Sequence, residues 1–96
     1  MTSPGPLPTL RFYERADCHL CDDARQALQA VLEERVMAGA VVPRVHPVDV
    51  AGDEQTERDY GHRVPVLEIH GRELSLAMGQ RAIRRFLAEA LDARLA

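Results

Sequence analysis

The stretch Asp17-Cys18-His19-Leu20-Cys21-Asp22-Asp23 separates two segments that differ in hydrophobic period. Before it, Thr9 to Glu14 places Leu10 and Phe12 at alternating positions, which predicts a β-strand. After it, apolar residues recur at helical spacing, which predicts a helix that begins at about Cys18 and stops at Gly39. The apolar stripe of this helix comprises Leu20, Ala24, Ala27, Leu28, Val31 and Leu32. The two cysteines are therefore expected where a strand ends and a helix begins.

The remainder of the chain continues this alternation of strands and helices. We predict a strand in the second half of Val41 to Val50, an acidic helix over Asp53 to Tyr60, a hairpin formed by Val64 to Ile69 and Glu73 to Leu76, and a last helix over Gln80 to Leu95. Pro47 favours an outer position for the second strand, because proline cannot donate to a ladder. Met78, Phe86 and Leu87 are predicted to lie in the core. The order β-α-β-α-β-β-α predicts an α/β fold with a four-stranded mixed sheet flanked by helices.

The composition is that of a small globular domain. The chain has 96 residues, of which 46% are apolar and 28% charged. We interpret residues 1–8, which contain Pro4, Pro6 and Pro8, as a flexible tail, and residues 9–96 as a single domain. The tail lacks the basic and apolar segments of a signal peptide.

Charge and hydropathy exclude several classes of function. The net charge of −3 argues against nucleic-acid binding, which needs a concentrated basic surface. All 12 basic residues are Arg, so Schiff-base chemistry on Lys is excluded. The longest apolar run, Val36 to Pro43, is too short to cross a bilayer, so we expect no membrane contact. We expect a cytoplasmic monomer, and in that compartment a close cysteine pair is usually redox-active or metal-binding.

Cys18 and Cys21 are the candidate catalytic residues. A cysteine at the start of a helix faces unpaired N–H groups and the positive end of the helix dipole, which together stabilise a thiolate. Cys21 lies one turn further along the same face, and it is suited to resolve a mixed disulfide formed by Cys18. Two alternatives stay open: a zinc-holding module and a non-catalytic binding or redox-sensing protein. Zinc needs two further ligands, and no second C-x-x-C or H-x-x-x-H is present, so we predict no metal site.

The sequence also resembles a known family. Phe12-Tyr13 leading into Cys18-His19-Leu20-Cys21, followed by Tyr60-Gly61 and Arg63-Val64-Pro65-Val66-Leu67, is similar to the thioredoxin superfamily. More narrowly, the chain resembles short bacterial glutaredoxin-like proteins with a C-x-x-C motif. The resemblance covers about Leu10 to Leu91 and implies a thioredoxin-like fold and thiol–disulfide oxidoreductase activity in cell redox homeostasis.

The resemblance also implies roles for further residues. Pro65 is expected to be a cis-proline beside Cys18, with the Val64 backbone turned toward an extended peptide or glutathione. His19 and Leu20, between the cysteines, are expected to contact the substrate and to tune the reduction potential. Arg63, together with Arg15, is a candidate partner for glutathione carboxylates. We expect no resident cofactor, glutathione as a candidate co-substrate, and a disulfide-containing protein or glutathione-type thiol as partner.

Overall fold

The computed structural model describes residues 7–92 and shows strands and helices in the expected order. The elements are β1 (Thr9–Glu14), α1 (His19–Ala38), β2 (Arg44–Asp49), α2 (Glu54–Tyr60), β3 (Val66–Ile69), β4 (Arg72–Leu74) and α3 (Gln80–Leu87). Short 3-10 turns over Val50–Gly52 and Gly61–Arg63 precede α2 and β3, and a π-helical turn over Ala88–Asp92 follows α3.

The four strands form one mixed sheet in the order β2-β1-β3-β4. β1 pairs in parallel with β2 and antiparallel with β3, and β3 and β4 form an antiparallel hairpin. β2 lies at the edge of the sheet, as Pro47 predicted, since a residue without an N–H is tolerated there. The predicted fold class is therefore confirmed: an α/β, thioredoxin-like arrangement with a four-stranded mixed sheet and flanking helices.

Side chains on the two faces of the sheet pack against different helices, because alternate residues of a strand point to opposite faces. On one face, Leu10 and Phe12 of β1 pack against buried residues of α1 and α3. On the other face, Tyr13 packs with Val50 and Val66, and Tyr60 of α2 lies against them. The main core consists of Leu10, Phe12, Ala24, Ala27, Leu28, Val31, Leu67, Ile69, Ala77, Ile83, Phe86 and Leu87.

Both ends of α1 follow the sequence signals. Cys18 is the N-cap residue with extended backbone angles, and Gly39 ends the helix with a φ of 71°. That left-handed conformation favours glycine, and the Gly39 N–H bonds to the last carbonyls of the helix. On the buried face, Cys21 takes the place expected for Leu20, which is 40% exposed.

The second half of the chain differs from the prediction in its strands, at Met78 and, as described next, in its last helix. The strands are shorter than predicted, since β3 begins at Val66 and β4 ends at Leu74. The predicted position of Met78 in the core is wrong, because the backbone N–H of Ala77 bonds to the Pro65 carbonyl and Ala77 turns inward. Met78 is consequently 49% exposed.

The last helix is α-helical only to Leu87 and then widens into the π-helical turn. The backbone N–H of Ala88 is shared between the carbonyls of Arg84 and Arg85 at this transition. Residues 93–95 of the predicted helix and residues 1–6 of the predicted tail lie outside the described residues. The tail residue Pro8 accepts a hydrogen bond of 2.8 Å from the Arg44 N–H at the start of β2.

A buried arginine joins the end of α1 to the end of the last helix. The guanidinium of Arg35 donates to both carboxylate oxygens of Asp92, at 2.6 and 3.1 Å, and its Nε donates to the Val41 carbonyl at 2.6 Å. The Arg35 side chain is 9% exposed and that of Asp92 is 45% exposed. This pairing closes the helical layer over the core, and charge-assisted bonds of this kind are stronger than neutral ones.

Replacing Arg35 by Ala is expected to lower the free energy of unfolding by about 2 kcal/mol, because Asp92 and the Val41 carbonyl lose a charged partner. The measurement is urea unfolding followed by circular dichroism. Arg84→Ala is the matched control, since Arg84 also makes two bonds to one carboxylate, that of Glu34, but both side chains are 48% exposed. The control is expected to lose less than about 1 kcal/mol. Equal losses in the two variants would contradict this account of Arg35.

Candidate active site

The cysteine pair lies where β1 gives way to α1. Cys18 is the N-cap of α1, and its Sγ accepts a hydrogen bond of 3.0 Å from the backbone N–H of Cys21. The Cys18 carbonyl accepts the first helical hydrogen bond, from the Asp22 N–H, also at 3.0 Å. The sulfur therefore occupies the position that a serine or aspartate oxygen takes in an ordinary N-cap. A helix N-terminus favours negative charge at this point.

The two cysteines differ in their exposure to solvent. Both are free thiols, but Cys18 is partly exposed whereas Cys21 is fully buried, with 0% exposure. Burial, together with a hydrogen bond to the Cys18 sulfur, raises the pKa of the Cys21 thiol to about 11, although a hydrogen bond from the Arg15 backbone opposes the rise. Solvent can therefore reach the first sulfur, and the second is held as a thiol behind it.

The residues between the cysteines face solvent. His19 is exposed, and Leu20 is 40% exposed although its spacing placed it on the apolar stripe. His19 lines a shallow cleft of about 300 Å³ together with Asp17 and Asp22. Both intervening side chains are accessible to a molecule that approaches Cys18.

The loop that contains Val64 and Pro65, the proline loop, lies at the same end of the central strands as the cysteine pair. β1 runs antiparallel to β3 with Tyr13 opposite Val66, so the chain leaving β1 lies beside the chain entering β3. The peptide bond between Val64 and Pro65 is cis, which confirms that expectation. Pro65 is buried and Val64 is half-buried. The cysteine loop and the Val64–Pro65 loop are thus neighbours.

The segment after β4 holds the proline loop from its other side. The backbone N–H of Leu76 donates to the Arg63 carbonyl at 3.1 Å, and that of Ala77 donates to the Pro65 carbonyl at 2.8 Å. Leu76 has a φ of 49° and a side chain that is 53% exposed. Hydrophobic periodicity could not predict these contacts, because hydrogen bonds between two loops leave no periodic signal.

Arg63 is engaged within the protein. Its Nη1 donates to Glu73 at 2.9 Å and to the Ser75 hydroxyl at 2.7 Å, and its Nε donates to the Asp59 carbonyl at 3.2 Å. The guanidinium also lies over the Tyr60 ring, 4.8 Å from its centre. These contacts tie the turn before Val64 to the β3–β4 hairpin. The role of Arg63 in binding a substrate carboxylate stays a prediction.

Within residues 7–92, no group of three or more His, Cys, Asp or Glu side chains is arranged to hold a metal ion. In the same part of the chain, no helix has the length and apolar character needed to traverse a bilayer.

Comparison with proteins of known structure supports the architecture. The target protein XcR50 from X. campestris, solved by X-ray crystallography, is 36% identical, with a TM-score of 0.68 over 84% of this chain and 97% of that chain. The protein Ne2328 from Nitrosomonas europaea, solved by NMR, is 24% identical, with a TM-score of 0.64 over 90% of this chain and 98% of that chain. The second similarity concerns the fold alone. Comparison with curated proteins finds no match.

The sequence also matches a family model, the glutaredoxin-like domain (DUF836), over residues 9–96. The match spans the whole of the sheet and helices described above, including the C-x-x-C pair at the start of α1. This chain therefore belongs to the glutaredoxin-like domain family (DUF836).

Proposed function

We propose that this protein is a dithiol–disulfide oxidoreductase in which Cys18 is the nucleophile and Cys21 the resolving residue. The observation that carries the proposal is the 3.0 Å hydrogen bond from the Cys21 N–H to the Cys18 sulfur at the N-cap of α1. A donor in this position stabilises a negative charge on the sulfur, and the thiolate is the form that attacks disulfides.

In the first step, the Cys18 thiolate attacks one sulfur of a substrate disulfide. The Cys18–substrate S–S bond forms, the substrate S–S bond breaks, and one substrate thiolate leaves and takes a proton from solvent. Cys18 is suited to this step because it is the partly exposed member of the pair. Cys21, which is fully buried, is shielded from direct attack on an external disulfide.

In the second step, Cys21 loses its proton to the departing substrate sulfur and attacks Cys18. The Cys18–Cys21 bond forms and the mixed disulfide breaks, so the substrate gains two electrons and the protein loses two. The high pKa of the Cys21 thiol keeps its proton in place until this step. A dithiol, or two molecules of a monothiol, must then reduce the Cys18–Cys21 disulfide to complete the cycle.

The substrate class we propose is a protein disulfide or a mixed disulfide with a glutathione-type thiol. His19 and Leu20 are exposed beside Cys18 and would contact the substrate, and the Val64–Pro65 loop lies next to them at the same edge of the sheet. The peptide groups of Val64 could pair with an extended substrate segment. Glutathione as co-substrate is part of this proposal, with Arg63 as the residue whose guanidinium would have to exchange Glu73 for a glutathione carboxylate.

Two cysteine variants separate the roles of the sulfurs. Cys18→Ser is expected to lower disulfide reduction by about 10³-fold or more, because the nucleophile is removed. Cys21→Ser is expected to accumulate a mixed disulfide with the substrate, since attack proceeds but resolution does not. Reduction assays measure the first effect, and mass spectrometry of the intact, non-reduced chain measures the second. The chain contains two cysteines, so the adduct on Cys21→Ser must lie on Cys18.

The same assay on the wild type decides between the candidate functions. If the wild type reduces neither protein disulfides nor glutathione adducts, the proposed enzyme activity is wrong. The hypothesis of a non-catalytic binding or redox-sensing protein then replaces it. Stoichiometric zinc in protein purified under reducing conditions would favour the metal-holding module.

The pH dependence of the reduced protein tests the burial of Cys21. A thiol whose pKa is raised to about 11 keeps its proton in the folded chain, whereas an unfolded cysteine loses it near pH 8.5. Stability is therefore expected to fall as pH rises from about 8.5 to 11, by about 2–3 kcal/mol at most. Urea unfolding across this range measures the loss. Cys21→Ser is the control. Its free energy of unfolding should fall less over the same pH range than that of the wild type, because the Cys21 thiol no longer contributes.

Alkylation of the folded, reduced protein provides an independent measure. Iodoacetamide is expected to modify Cys18 first and Cys21 only as pH approaches 11 or the protein unfolds. Equal modification of both sulfurs near pH 8 would contradict the asymmetry on which the two-step reaction depends.

A further inference from the structure

Arg15 makes a bidentate ion pair with a residue far away in the sequence. Its Nη1 donates to Glu57 Oε1 at 3.1 Å, and its Nη2 donates to Glu57 Oε2 at 2.7 Å. The same Nη2 donates to the Gly61 carbonyl at 2.8 Å. The planar guanidinium thus fills a fork of three acceptors, a geometry that lysine cannot reproduce.

Gly61 leaves the space that this ion pair occupies. A Cβ added to Gly61 would lie 2.1 Å from Glu57 Oε2 and 2.8 Å from Arg15 Nη2. Since the φ of Gly61 is −57°, any residue could adopt its backbone conformation, and the requirement for glycine is one of space. A methyl group here must shift the Glu57 carboxylate from its present position, so the ion pair cannot keep this geometry.

The ion pair connects the two loops of the candidate active site. On one side, Arg15 lies three residues before Cys18, in the loop between β1 and α1. On the other side, Gly61 begins the 3-10 turn that leads directly into Val64–Pro65. Stacking of Tyr60 on Tyr13, with ring centres 3.8 Å apart and planes within 11°, joins the same two segments.

We propose that Arg15, Glu57 and Gly61 form a clamp, here called the Arg15 clamp, that sets the position of the Val64–Pro65 loop relative to Cys18 and Cys21. Arg15 is then a positioning residue for disulfide exchange, acting through the loop that receives the substrate. This inference rests on the proposed function for its effect on the reaction, but its effect on the loop can be measured without any reaction.

The charge of Arg15 is directed mainly to Glu57. The hydrogen bond to Glu57 is the largest cause that raises the pKa of the Arg15 guanidinium, and the charge of the same carboxylate adds to it. Because Glu57 offsets the positive charge, the clamp presents almost no net charge to the sulfurs. We therefore expect the clamp to affect catalysis through the position of the Val64–Pro65 loop. The effect should be seen with substrates that contact this loop.

Four variants test the clamp: Arg15→Lys, Arg15→Gln, Glu57→Gln and Gly61→Ala. Each is expected to lower kcat/KM for a protein disulfide by about tenfold, mainly through KM, because the loop is displaced by a fraction of an ångström or more. Arg15→Lys keeps the positive charge but cannot make the two parallel hydrogen bonds to the Glu57 carboxylate, so its kcat/KM should stay below that of the wild type. The double variant Arg15→Gln with Glu57→Gln should be no worse than either single variant, since the two residues act as a unit.

The rate at which iodoacetamide modifies Cys18 separates position from charge. Iodoacetamide is small and does not need the proline loop, so its rate-against-pH profile should stay within about twofold of the wild type in Arg15→Lys, Gly61→Ala and the double Gln variant, which keep the net charge of the pair. A profile that falls in parallel with kcat/KM in these variants would show that Arg15 acts on the sulfur directly and would overturn the clamp. The matched control is Arg84→Gln, which breaks a bidentate pair with Glu34 between α1 and α3 and should leave both readouts unchanged.

Amide hydrogen exchange tests the clamp independently of activity. The N–H groups of Leu76 and Ala77 bond to the carbonyls of Arg63 and Pro65, so they report on the loop directly. Their exchange is expected to become about tenfold faster in the clamp variants, since a charge-assisted contact that holds the loop is lost. It should not change in Arg84→Gln.

The two proposals fail in different ways. If the wild type reduces no disulfide but the Leu76 and Ala77 amides exchange faster in the variants, the proposed function is wrong and the clamp stands. If the wild type is active and the variants, folded by circular dichroism, match it in both kcat/KM and amide exchange, the clamp is wrong.

Discussion

The hydrogen bond from the Cys21 N–H to the Cys18 sulfur is the interaction on which the site depends. It exists because α1 begins immediately after the loop that follows β1, so the first free N–H groups of the helix meet the side chain at its N-cap. A sulfur in this place replaces the usual capping oxygen. The residue that starts the helix and the residue that we propose to attack a disulfide are therefore the same one.

The sheet determines what surrounds this sulfur. Because β1 and β3 are antiparallel, the end of β1, which leads into the cysteine loop, lies beside the start of β3, which follows the Val64–Pro65 loop. The helical period of α1 then turns Cys21 into the core while Leu20 and His19 face outward. One partly exposed and one buried cysteine, three residues apart, result from ordinary helix geometry where a strand is followed by a helix.

The arginines near the site act within the fold. Arg63 joins the turn before Val64 to the β3–β4 hairpin through Glu73 and Ser75, and Arg15 joins the cysteine loop to the turn that starts at Gly61. Both guanidiniums already have carboxylate partners, so the charges beside the loops are largely balanced. These contacts tie the segments on either side of the proline loop to the rest of the fold, and the ion pair of the buried Arg35 with Asp92 ties the far end of α1 to the last helix.

The sequence by itself determined the order of the elements, the edge position of β2, the caps of α1 and the position of Cys18, because periodicity, proline and glycine act locally. The cis-proline was predicted through the resemblance of the Val64–Pro65 motif to the thioredoxin superfamily. Only the tertiary structure decided that Met78 faces solvent, that the last helix widens after Leu87, and that Arg15 pairs with Glu57. These features depend on contacts between residues distant along the chain, and such contacts leave no local pattern in the sequence.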